Sequence, residues 1–301
     1  MHLSIIICSY NRANYISAAL TALYEQTVSL DQFEVFIVDN NSTDNTAAVY
    51  KLWRETHPNG QFEYTTETKQ GASFARNTGA KLANTPWLCF IDDDAIANPE
   101  YVENVIKHTK DQPFIVGFGG RIIPKYIPAE PKWMSHYVSS LVGNFDYAPN
   151  ACAFEHGKYP LESNMIVAKK IFDQVGGFNE QIPGVVGTLR IGGEGKELFY
   201  KIMALDHTIY YDPSIIVHHV VEVSKLTPSY LYRVASGIGR GERSRTKAIN
   251  QFAYIKKIIE YLFKLGAAIV LGLKYAIQGK PAKTWPVIQF RIDALKGLTG
   301  N

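Results

Sequence analysis

The sequence predicts an α/β protein with a mostly parallel central sheet flanked by helices, followed by a helical C-terminal extension. Two observations support this class. Over the first hundred residues, short runs of β-branched and aromatic residues alternate with helix-length segments, as expected for strands joined by right-handed crossovers. From residue 252, apolar residues recur at every third or fourth position, which is typical of amphipathic helices. A chain of 301 residues can hold one large α/β domain with an appendage, or two small domains.

Four strands and three helices are predicted before residue 100. The strand runs are continuous and apolar, as in strands covered on both faces, except for the more polar third run. The helix after the first strand contains Tyr15 and Leu23. The next helix can be N-capped by Ser42 or Thr43, and the third covers 71–83 with small residues on one side. The predicted strands are 3–8, 33–39, 61–66 and 87–91.

The pattern becomes mixed in the middle of the chain. Strands are predicted in 114–124 and 207–223, and a strand leading into a short helix in 165–180. Residues 191–206 begin as a glycine-rich loop and continue as a helix. The tail, residues 252–301, is predicted to be helical.

Charge is unevenly distributed along the chain. The net charge is +3, but residues 225–301 carry +11 and residues 1–224 carry −8. A basic segment on an acidic body suggests a negatively charged partner, either a membrane surface or a nucleic acid.

The three cysteines, Cys8, Cys89 and Cys152, form no CxxC pair, and the first two lie in apolar runs. We therefore expect buried, reduced thiols and a cytoplasmic protein. The apolar run 3–8 is too short for a signal peptide and lacks a basic segment before it, so we expect the first strand to start close to Met1.

Polar residues follow three of the four predicted strands, at 9–12, 39–41 and 92–94. In parallel sheets, ligands bind outside the carboxyl ends of the strands. No GxGxxG or GxxxxGK[ST] motif follows the first strand, which argues against dinucleotide and P-loop sites. The ligand is therefore expected to be held by side chains and by a metal.

Three adjacent carboxylates, Asp92, Asp93 and Asp94, directly follow a buried strand. Their mutual repulsion would be relieved by a hard divalent cation, and Mn²⁺ or Mg²⁺ bound through one or two carboxylates commonly bridges a diphosphate. The alternative is an acidic turn at the start of a helix, where aspartate is favoured.

Six motifs occur in a recognisable order: "SIIICSYNR", "VDNNSTDNT", "KQGASFARNTGAK", "FIDDDAIANP", "NMIVAKKIFDQVGGFNE" and "GGEGKELFYK". Through them the chain resembles inverting family 2 glycosyltransferases of the GT-A fold, whose sheet is Rossmann-like. The resemblance covers roughly residues 1–230. It implies a catalytic domain with a nucleotide-binding half, 1–115, and an acceptor and base half, 116–230, before the basic helical extension 231–301.

The resemblance implies transfer of a sugar, with inversion, from a UDP, GDP or dTDP donor to a saccharide or lipid-linked acceptor. The expected context is bacterial surface polysaccharide or glycoconjugate synthesis, with Mn²⁺ or Mg²⁺ as cofactor and no nucleic acid as partner. It also implies which residues bind the nucleotide-sugar: Ser9, Tyr10, Asn11, Arg12, Asp39, Arg76, Asp92 and Asp93.

Within that set the resemblance gives finer roles. Asp39 would accept a hydrogen bond from the nucleobase, although it could instead cap the following helix. Arg76 would lie close to the nucleotide, although a surface salt bridge is the alternative. Asp92 would lie toward the ribose and Asp94 would bind the metal, while the side chain of Asp93 is expected to point away and serve the turn.

The acceptor hydroxyl must lose its proton as it attacks, so a carboxylate base is required. The resemblance points to Glu194, with Glu197 as the alternative. Gly195 stands where the family usually has an aspartate, which is a departure. Glu197 could instead cap its helix or pair with Arg190 or Lys201.

A histidine is implied as a further metal ligand, and His219 is preferred over His218. Neighbouring side chains of a strand point to opposite faces, so at most one of the two should face the metal. A purely structural pair of histidines is the alternative.

Aromatic and amide side chains are expected on the acceptor side. The resemblance implies acceptor contacts from Trp133 and Asn164, and Tyr137 and Phe178 lie in the same half. Aromatic faces often stack on sugars, but an ordinary core role is the alternative for each.

The tail suggests peripheral membrane contact through 252–283. Its apolar run 265–273 is nine residues long, too short to span a bilayer. A lysine-rich amphipathic helix can instead lie in the headgroup plane. The alternatives are packing on the catalytic domain or a homodimer. One helix face is apolar and the other charged, with Phe252, Ile255, Ile259 and Leu262 on the first and Lys256, Lys257, Glu260 and Lys264 on the second.

Two other functions remain open from the sequence. A nucleotidyltransferase would also bind a nucleotide and a divalent ion, but would be expected to carry a basic glycine-rich loop after the first strand. A catalytically degenerate nucleotide-sugar-binding protein is suggested by Gly195.

Overall fold

The computed structural model describes residues 1–182, 184–186, 189–191 and 193–300. The strands within these residues are β1 (Leu3–Ser9), β2 (Phe33–Asp39), β3 (Gln61–Thr66), β4 (Trp87–Asp92), β5 (Ala95–Ala97), β6 (Gly117–Ile127), β7 (Cys152–Ala153), β8 (Asn164–Ala168), β9 (Gly184–Val186), β10 (Leu189–Ile191) and β11 (Tyr210–Glu222).

The α-helices of the described chain alternate with the first strands and then dominate the tail. They are α1 (Ala13–Tyr24), α2 (Thr46–Thr56), α3 (Ala72–Leu82), α4 (Tyr101–Asp111), α5 (His136–Ser139), α6 (Lys169–Gln174), α7 (Glu194–Met203), α8 (Pro228–Ile249), α9 (Gln251–Ile277) and α10 (Thr284–Thr299).

The main sheet follows the order β3-β2-β1-β4-β8-β6-β11-β5, with β7 paired to β11. The first four strands of this order are parallel, whereas β8 runs antiparallel to both β4 and β6. The predicted α/β class is therefore confirmed, and β1–β4 pair in parallel. The polar third strand lies at the edge of the sheet, which explains why only one of its residues is fully buried.

The register of the parallel strands aligns their carboxyl ends. Ser9 lies opposite Asp39, and Cys8 lies opposite Asp92. The polar residues that follow β1, β2 and β4 consequently emerge at the same edge of the sheet. This edge is where parallel sheets bind their ligands.

Alternate side chains of β1 enter two different cores. Leu3, Ile5 and Ile7 pack on one face, and Ile6 packs on the other. Helix α3 approaches the Ile6 face closely, because a Cβ at Gly79 would lie 2.5 Å from Ile6 Cγ2. The small residues predicted in 71–83 thus allow this helix to pack against the sheet.

Helix α2 begins at Thr46, later than the predicted caps Ser42 and Thr43, so that prediction is wrong. The carboxylate of Asp44 accepts the Thr46 N–H at 3.0 Å and supplies the hydrogen bond expected from a cap.

The chain divides into two compact units. The sheet unit comprises 1–123, 145–183 and 194–219, and the helical unit comprises 124–144, 184–193 and 220–301. The helical unit has its own core, in which α8, α9 and α10 pack together. The functional boundaries at 115 and 230 stay predictions.

Asn164, expected to contact an acceptor, is completely buried in the sheet unit. Its Oδ1 accepts the Tyr101 hydroxyl at 2.9 Å, and its Nδ2 donates to the carbonyls of Arg121 and Ile215 at 3.0 and 2.9 Å. With its amide so engaged and no exposed surface, Asn164 cannot reach a ligand. Its side chain links strands of the sheet, so the expectation that Asn164 contacts the acceptor is wrong.

Replacing Asn164 by leucine should lower the free energy of unfolding by about 2–4 kcal/mol, because two backbone carbonyls and the Tyr101 hydroxyl each lose one hydrogen bond at a buried position. Urea unfolding followed by circular dichroism measures this change. Asn104→Ala is the matched control, since the Asn104 amide makes one exposed hydrogen bond to Ser214, and it should cost less than about 1 kcal/mol. Equal unfolding midpoints for the two variants would contradict the structural role of Asn164.

Candidate active site

The aspartate run lies at the carboxyl edge of β4. Asp92 is partly exposed, whereas Asp93 and Asp94 are buried. Burying carboxylates is unfavourable unless each has a partner that offsets the lost hydration. The partners of these residues therefore indicate what the run does.

Asp94 faces a histidine from β11. His219 Nε2 lies 3.0 Å from Asp94 Oδ1, and the ligand atoms of Asp92, Asp94 and His219 all lie within 4.8 Å of one another. The pairing of β11 with β5 brings them together, because His219 is in register with Ala95. His218 is only partly buried and lies outside this cluster, in agreement with the preference for His219.

The donor set of this cluster fits a small divalent cation. Two carboxylates and one imidazole, largely buried, match the oxygen and nitrogen ligands of Mn²⁺ and Mg²⁺. His219 Nδ1 is buried and has no hydrogen-bond partner among the described residues. Asp92, Asp94 and His219 are thus the residues that could hold a metal.

Asp93 does not point away from the site, and that expectation is wrong. Its carboxyl accepts the Ser9 hydroxyl at 2.8 Å and lies 3.9 Å from Arg12 Nε. Burial, and then the charge of Asp94, raise the pKa of Asp93 to about 8. This shift favours the protonated form of Asp93, which would reduce the repulsion within the run.

Arg12 lies beside two of the three aspartates, since its Nη2 is also 3.9 Å from Asp94 Oδ2. It is about one third exposed, so it can also contact a ligand. The preceding residues Tyr10 and Asn11 lie in the same loop, after β1. Tyr10 is partly exposed there.

Asn11 fastens the loop after β1 to the loop after β2. Its backbone has a positive φ of 54°, which asparagine tolerates better than most residues. Its Oδ1 accepts the backbone N–H of Thr43 at 2.7 Å, and its own N–H donates to Ser42 Oγ at 2.9 Å. The Asn11 side chain is thereby committed to the loop structure.

Asp39 is buried at the end of β2. It accepts the Ser42 N–H at 2.9 Å and the hydroxyl of Tyr64. Burial, and then the bond to Asp39, raise the pKa of Tyr64, so that the phenol stays protonated. Asp39 organises the loop before α2 and does not cap the helix itself.

Arg76 of α3 is buried in an ion-pair network, so the alternative of a surface salt bridge is wrong. Its Nη1 lies 3.1 Å from Glu194 Oε1, and its Nη2 lies 3.6 Å from Asp92 Oδ1. Burial disfavours its charge, but Glu194 and Asp92 outweigh this and raise the pKa of Arg76. Arg76 thus links the aspartate run to the start of α7.

Glu194 and Glu197, the two candidates for the general base, differ in their surroundings. Glu194, the first residue of α7, is buried and has one oxygen, Oε2, without a hydrogen-bond partner in the described chain. Glu197 lies 3.3 Å from Lys201 Nζ and accepts the Asn179 amide at 3.1 Å. The side chain of Arg190, its other expected partner, lies outside the described residues.

Two residues of the site were missed by the sequence reasoning. Ser163 donates its hydroxyl to Asp92, and Glu162 accepts the Gly195 N–H at 3.0 Å. Both precede β8 in a segment without a motif. The signal that could have found them is a Glu-Ser pair placed directly before a buried strand.

The remaining acceptor candidates lie elsewhere. Phe178 is buried in the second core of the sheet unit, which is the ordinary core role. Trp133 is partly buried against the core of the helical unit, and Tyr137 is about half exposed in that unit. Acceptor contact by Trp133 stays a prediction.

Residues 4–176 match the sequence profile described as Glycosyl transferase family 2, which is more than half of the chain. The chain belongs to this family. The resemblance to family 2 glycosyltransferases is thereby confirmed. The strand order of the sheet and the aspartate run at the end of β4 agree with it.

Two relatives and one solved structure illustrate the similarity. Validoxylamine A glucosyltransferase of Streptomyces hygroscopicus subsp. jinggangensis is 36% identical over 35% of this chain and 24% of its own length. An uncharacterized glycosyltransferase of Haemophilus influenzae is 37% identical over 67% of this chain and 56% of its own. The matched part of the chain therefore covers between about a quarter and just over half of the length of these two relatives.

The solved structure is the mannosyltransferase PcManGT from Pyrobaculum calidifontis, in complex with GDP-Man and Mn²⁺. It matches all of this chain and 88% of its own, with a TM-score of 0.67 and 19% identity. At this identity the likeness concerns the fold, and it confirms the GT-A architecture.

Mn²⁺ at a hundred times its dissociation constant should stabilise the protein by about 2.7 kcal/mol if it binds only the folded state. Asp94→Asn and His219→Gln should each remove most of this gain, because each deletes a ligand. Thermal unfolding with and without Mn²⁺ measures it. Asp173→Asn is the control, since Asp173 is an exposed carboxylate that pairs with Lys169. An undiminished gain in Asp94→Asn would rule out the cluster as the metal site.

Proposed function

We propose that this chain transfers a sugar from a nucleotide-diphosphate donor to a saccharide or lipid-linked acceptor, with inversion at the anomeric carbon. The observation that carries the proposal is the cluster of Asp92, Asp94 and His219, the last two buried, at the carboxyl edge of the parallel strands. Family membership and the nucleotide-sugar complex of PcManGT support it. Bacterial surface polysaccharide or glycoconjugate synthesis is the proposed context.

Asp92, Asp94 and His219 would hold Mn²⁺ or Mg²⁺. When bound there, such an ion supplies a positive charge that offsets the charge developing on the leaving diphosphate. Arg12 Nη2 lies 3.9 Å from Asp94 Oδ2, and Arg76 Nη2 lies 3.6 Å from Asp92 Oδ1. Both can orient a phosphorylated donor through charge-assisted hydrogen bonds.

The loops after β1 and β2 would bind the nucleoside. Ser9 and Asp39 are buried and already hydrogen-bonded, so they shape the loops, whereas Tyr10 and Arg12 have exposed surface to offer a ligand. Among the residues predicted to bind the nucleotide-sugar, we therefore assign direct contacts to Tyr10 and Arg12 and a structural role to Ser9 and Asp39.

The other two functions differ in what they would release. A nucleotidyltransferase would form a sugar nucleotide and release pyrophosphate, and a binding protein would release nothing. The loop after β1 carries Ser9-Tyr10-Asn11-Arg12 and not a glycine-rich basic sequence, which favours the glycosyltransferase.

A panel of UDP, GDP, dTDP and CDP with Mn²⁺ should give one preferred nucleotide that raises the unfolding temperature. The corresponding nucleotide-sugars should then release nucleoside diphosphate in a Mn²⁺-dependent manner. Asp94→Ala should lower this rate by at least about 100-fold, because metal stabilisation of the leaving group contributes several kcal/mol. Nucleotide binding without any turnover would favour a binding protein, and pyrophosphate release from a nucleoside triphosphate mixed with a sugar 1-phosphate would favour a nucleotidyltransferase.

The helical unit supports a second proposal, peripheral contact with an anionic membrane. Helix α9 buries one face, formed by Tyr254, Tyr261 and Ala268, in the core of its unit. This face was missed by the sequence reasoning. On the opposite side lies the apolar stripe, eight residues that are all at least 46% exposed: Phe252, Ile255, Ile259, Leu262, Phe263, Val270, Leu273 and Ile277.

The stripe extends about 38 Å along the helix at 1.5 Å per residue. An apolar surface this long usually marks an interaction site. Lys256 and Lys274 are exposed on the same helix, and its single acid, Glu260, pairs with Lys257 and Lys264. Basic charge beside an apolar stripe is complementary to anionic lipid. No helix of the described chain is both long and apolar enough to cross a bilayer.

The full-length protein should float with vesicles that contain about 30% phosphatidylserine, and a smaller fraction of it should float with neutral vesicles. Phe263→Glu combined with Val270→Glu should reduce flotation at least about tenfold, since each charge must enter the interface. Phe114→Glu is the control, because Phe114 is 95% exposed outside the stripe. Equal flotation of the two variants would contradict the membrane proposal. If the wild type is a dimer and only the Phe263→Glu, Val270→Glu variant is a monomer, the stripe instead binds a second copy of the chain.

A further inference from the structure

Of the three residues that could hold a metal, Asp92 is the one that packing confines least. Its side chain is 35% exposed, whereas those of Asp94 and His219 are 6% and 9% exposed. A buried side chain is confined by the groups packed around it, but a partly exposed carboxylate can rotate unless its own partners restrain it. The direction in which Asp92 presents its oxygens is therefore set by those partners.

The two oxygens of Asp92 have different partners. Arg76 Nη2 lies 3.6 Å from Oδ1, which is an ion pair but is too long for a hydrogen bond. Oδ2 accepts the hydroxyl of Ser163. A charge at this distance attracts the carboxylate without fixing its direction, whereas a hydrogen bond is directional. Ser163 is thus the partner that orients the carboxylate.

Ser163 is itself held in place by the sheet. Ile91 is in register with Asn164 across the antiparallel pair of β4 and β8. The residues that come next at this end of the pair are Asp92 and Ser163, which therefore lie side by side. The Asn164 N–H donates to the Leu161 carbonyl at 3.0 Å and closes a turn that contains Ser163.

The end of this turn is fixed by the buried Asn164 side chain, which makes three hydrogen bonds. The Ser163 hydroxyl consequently reaches Asp92 from a backbone position that is determined by the sheet. If Ser163 served only to complete the turn, its hydroxyl would contribute to folding and not to the affinity for a cation.

We propose that Ser163 is a positioning residue for the cation site. Its hydroxyl holds one oxygen of Asp92 and so presents this carboxylate to a divalent cation bound together with Asp94 and His219. Ser163 acts through Asp92 and is not counted among the ligands. The inference rests on the cation site of the proposed function and adds to it a residue that controls metal affinity.

The test measures Mn²⁺ affinity and not turnover. Full-length protein is titrated with Mn²⁺ alone, and the free ion is followed by electron paramagnetic resonance. Ser163→Ala should raise the Mn²⁺ dissociation constant about tenfold, because loss of a hydrogen-bond partner of a metal ligand typically weakens binding by about 10- to 100-fold. Ser163→Thr retains a hydroxyl and should stay within about threefold of the wild type. Thermal unfolding without metal verifies that each variant is folded.

Ser214→Ala is the matched control. Ser214 also donates its hydroxyl to a carboxylate, that of Asp212, at 2.7 Å. It is exposed, and Asp212 lies outside the cluster of Asp92, Asp94 and His219. This variant should bind Mn²⁺ as tightly as the wild type does.

Three results would overturn the inference, and they separate its failure from that of the cation site. A dissociation constant of Ser163→Ala within about threefold of the wild type would reject the role of Ser163 and leave the site intact. Equal weakening by Ser163→Ala and Ser163→Thr would trace the effect to packing and not to the hydroxyl. If the wild type binds Mn²⁺ no better than Asp94→Asn, the cation site itself is wrong, and the inference fails with it.

Discussion

The candidate site depends on the burial of one cation. Arg76 is held between Asp92 at the end of β4 and Glu194 at the start of α7, and it joins elements that are far apart in sequence. A buried guanidinium is tolerable only while its carboxylate partners stay in place. The Asp92, Asp94 and His219 cluster and the start of α7 are therefore coupled through Arg76 and are held in one arrangement.

The fold follows closely from the pattern of the chain. Continuous apolar runs predicted β1, β2 and β4, and the registers of these strands explain why the polar residues after them meet. The direction of β8 was not predictable, because a buried strand reads the same whether it is parallel or antiparallel. The cap of α2 was misplaced since several adjacent residues, Ser42 to Asp44, can each serve as caps.

The site was predicted in part, and the omissions have a common cause. The family resemblance pointed to Asp94, His219 and Glu194, and the structure brings Asp94 and His219 together, with His219 Nε2 3.0 Å from Asp94 Oδ1. Asn164 was assigned to an acceptor although its amide joins three segments of the sheet, and Glu162 was overlooked although it touches α7. Contacts between residues more than thirty positions apart leave no trace in a single sequence, so both errors needed coordinates to correct.

The bond of Asn11 to the loop after β2 has a consequence for recognition. Because Thr43 and Asp44 are already tied to Asn11, the two loops present their exposed residues in a fixed relative position. The conformational entropy of ordering them is lost during folding and not on binding. A nucleoside entering this edge would meet a preorganised surface, so that discrimination between bases would come from shape and polar matching and not from induced closure of these loops.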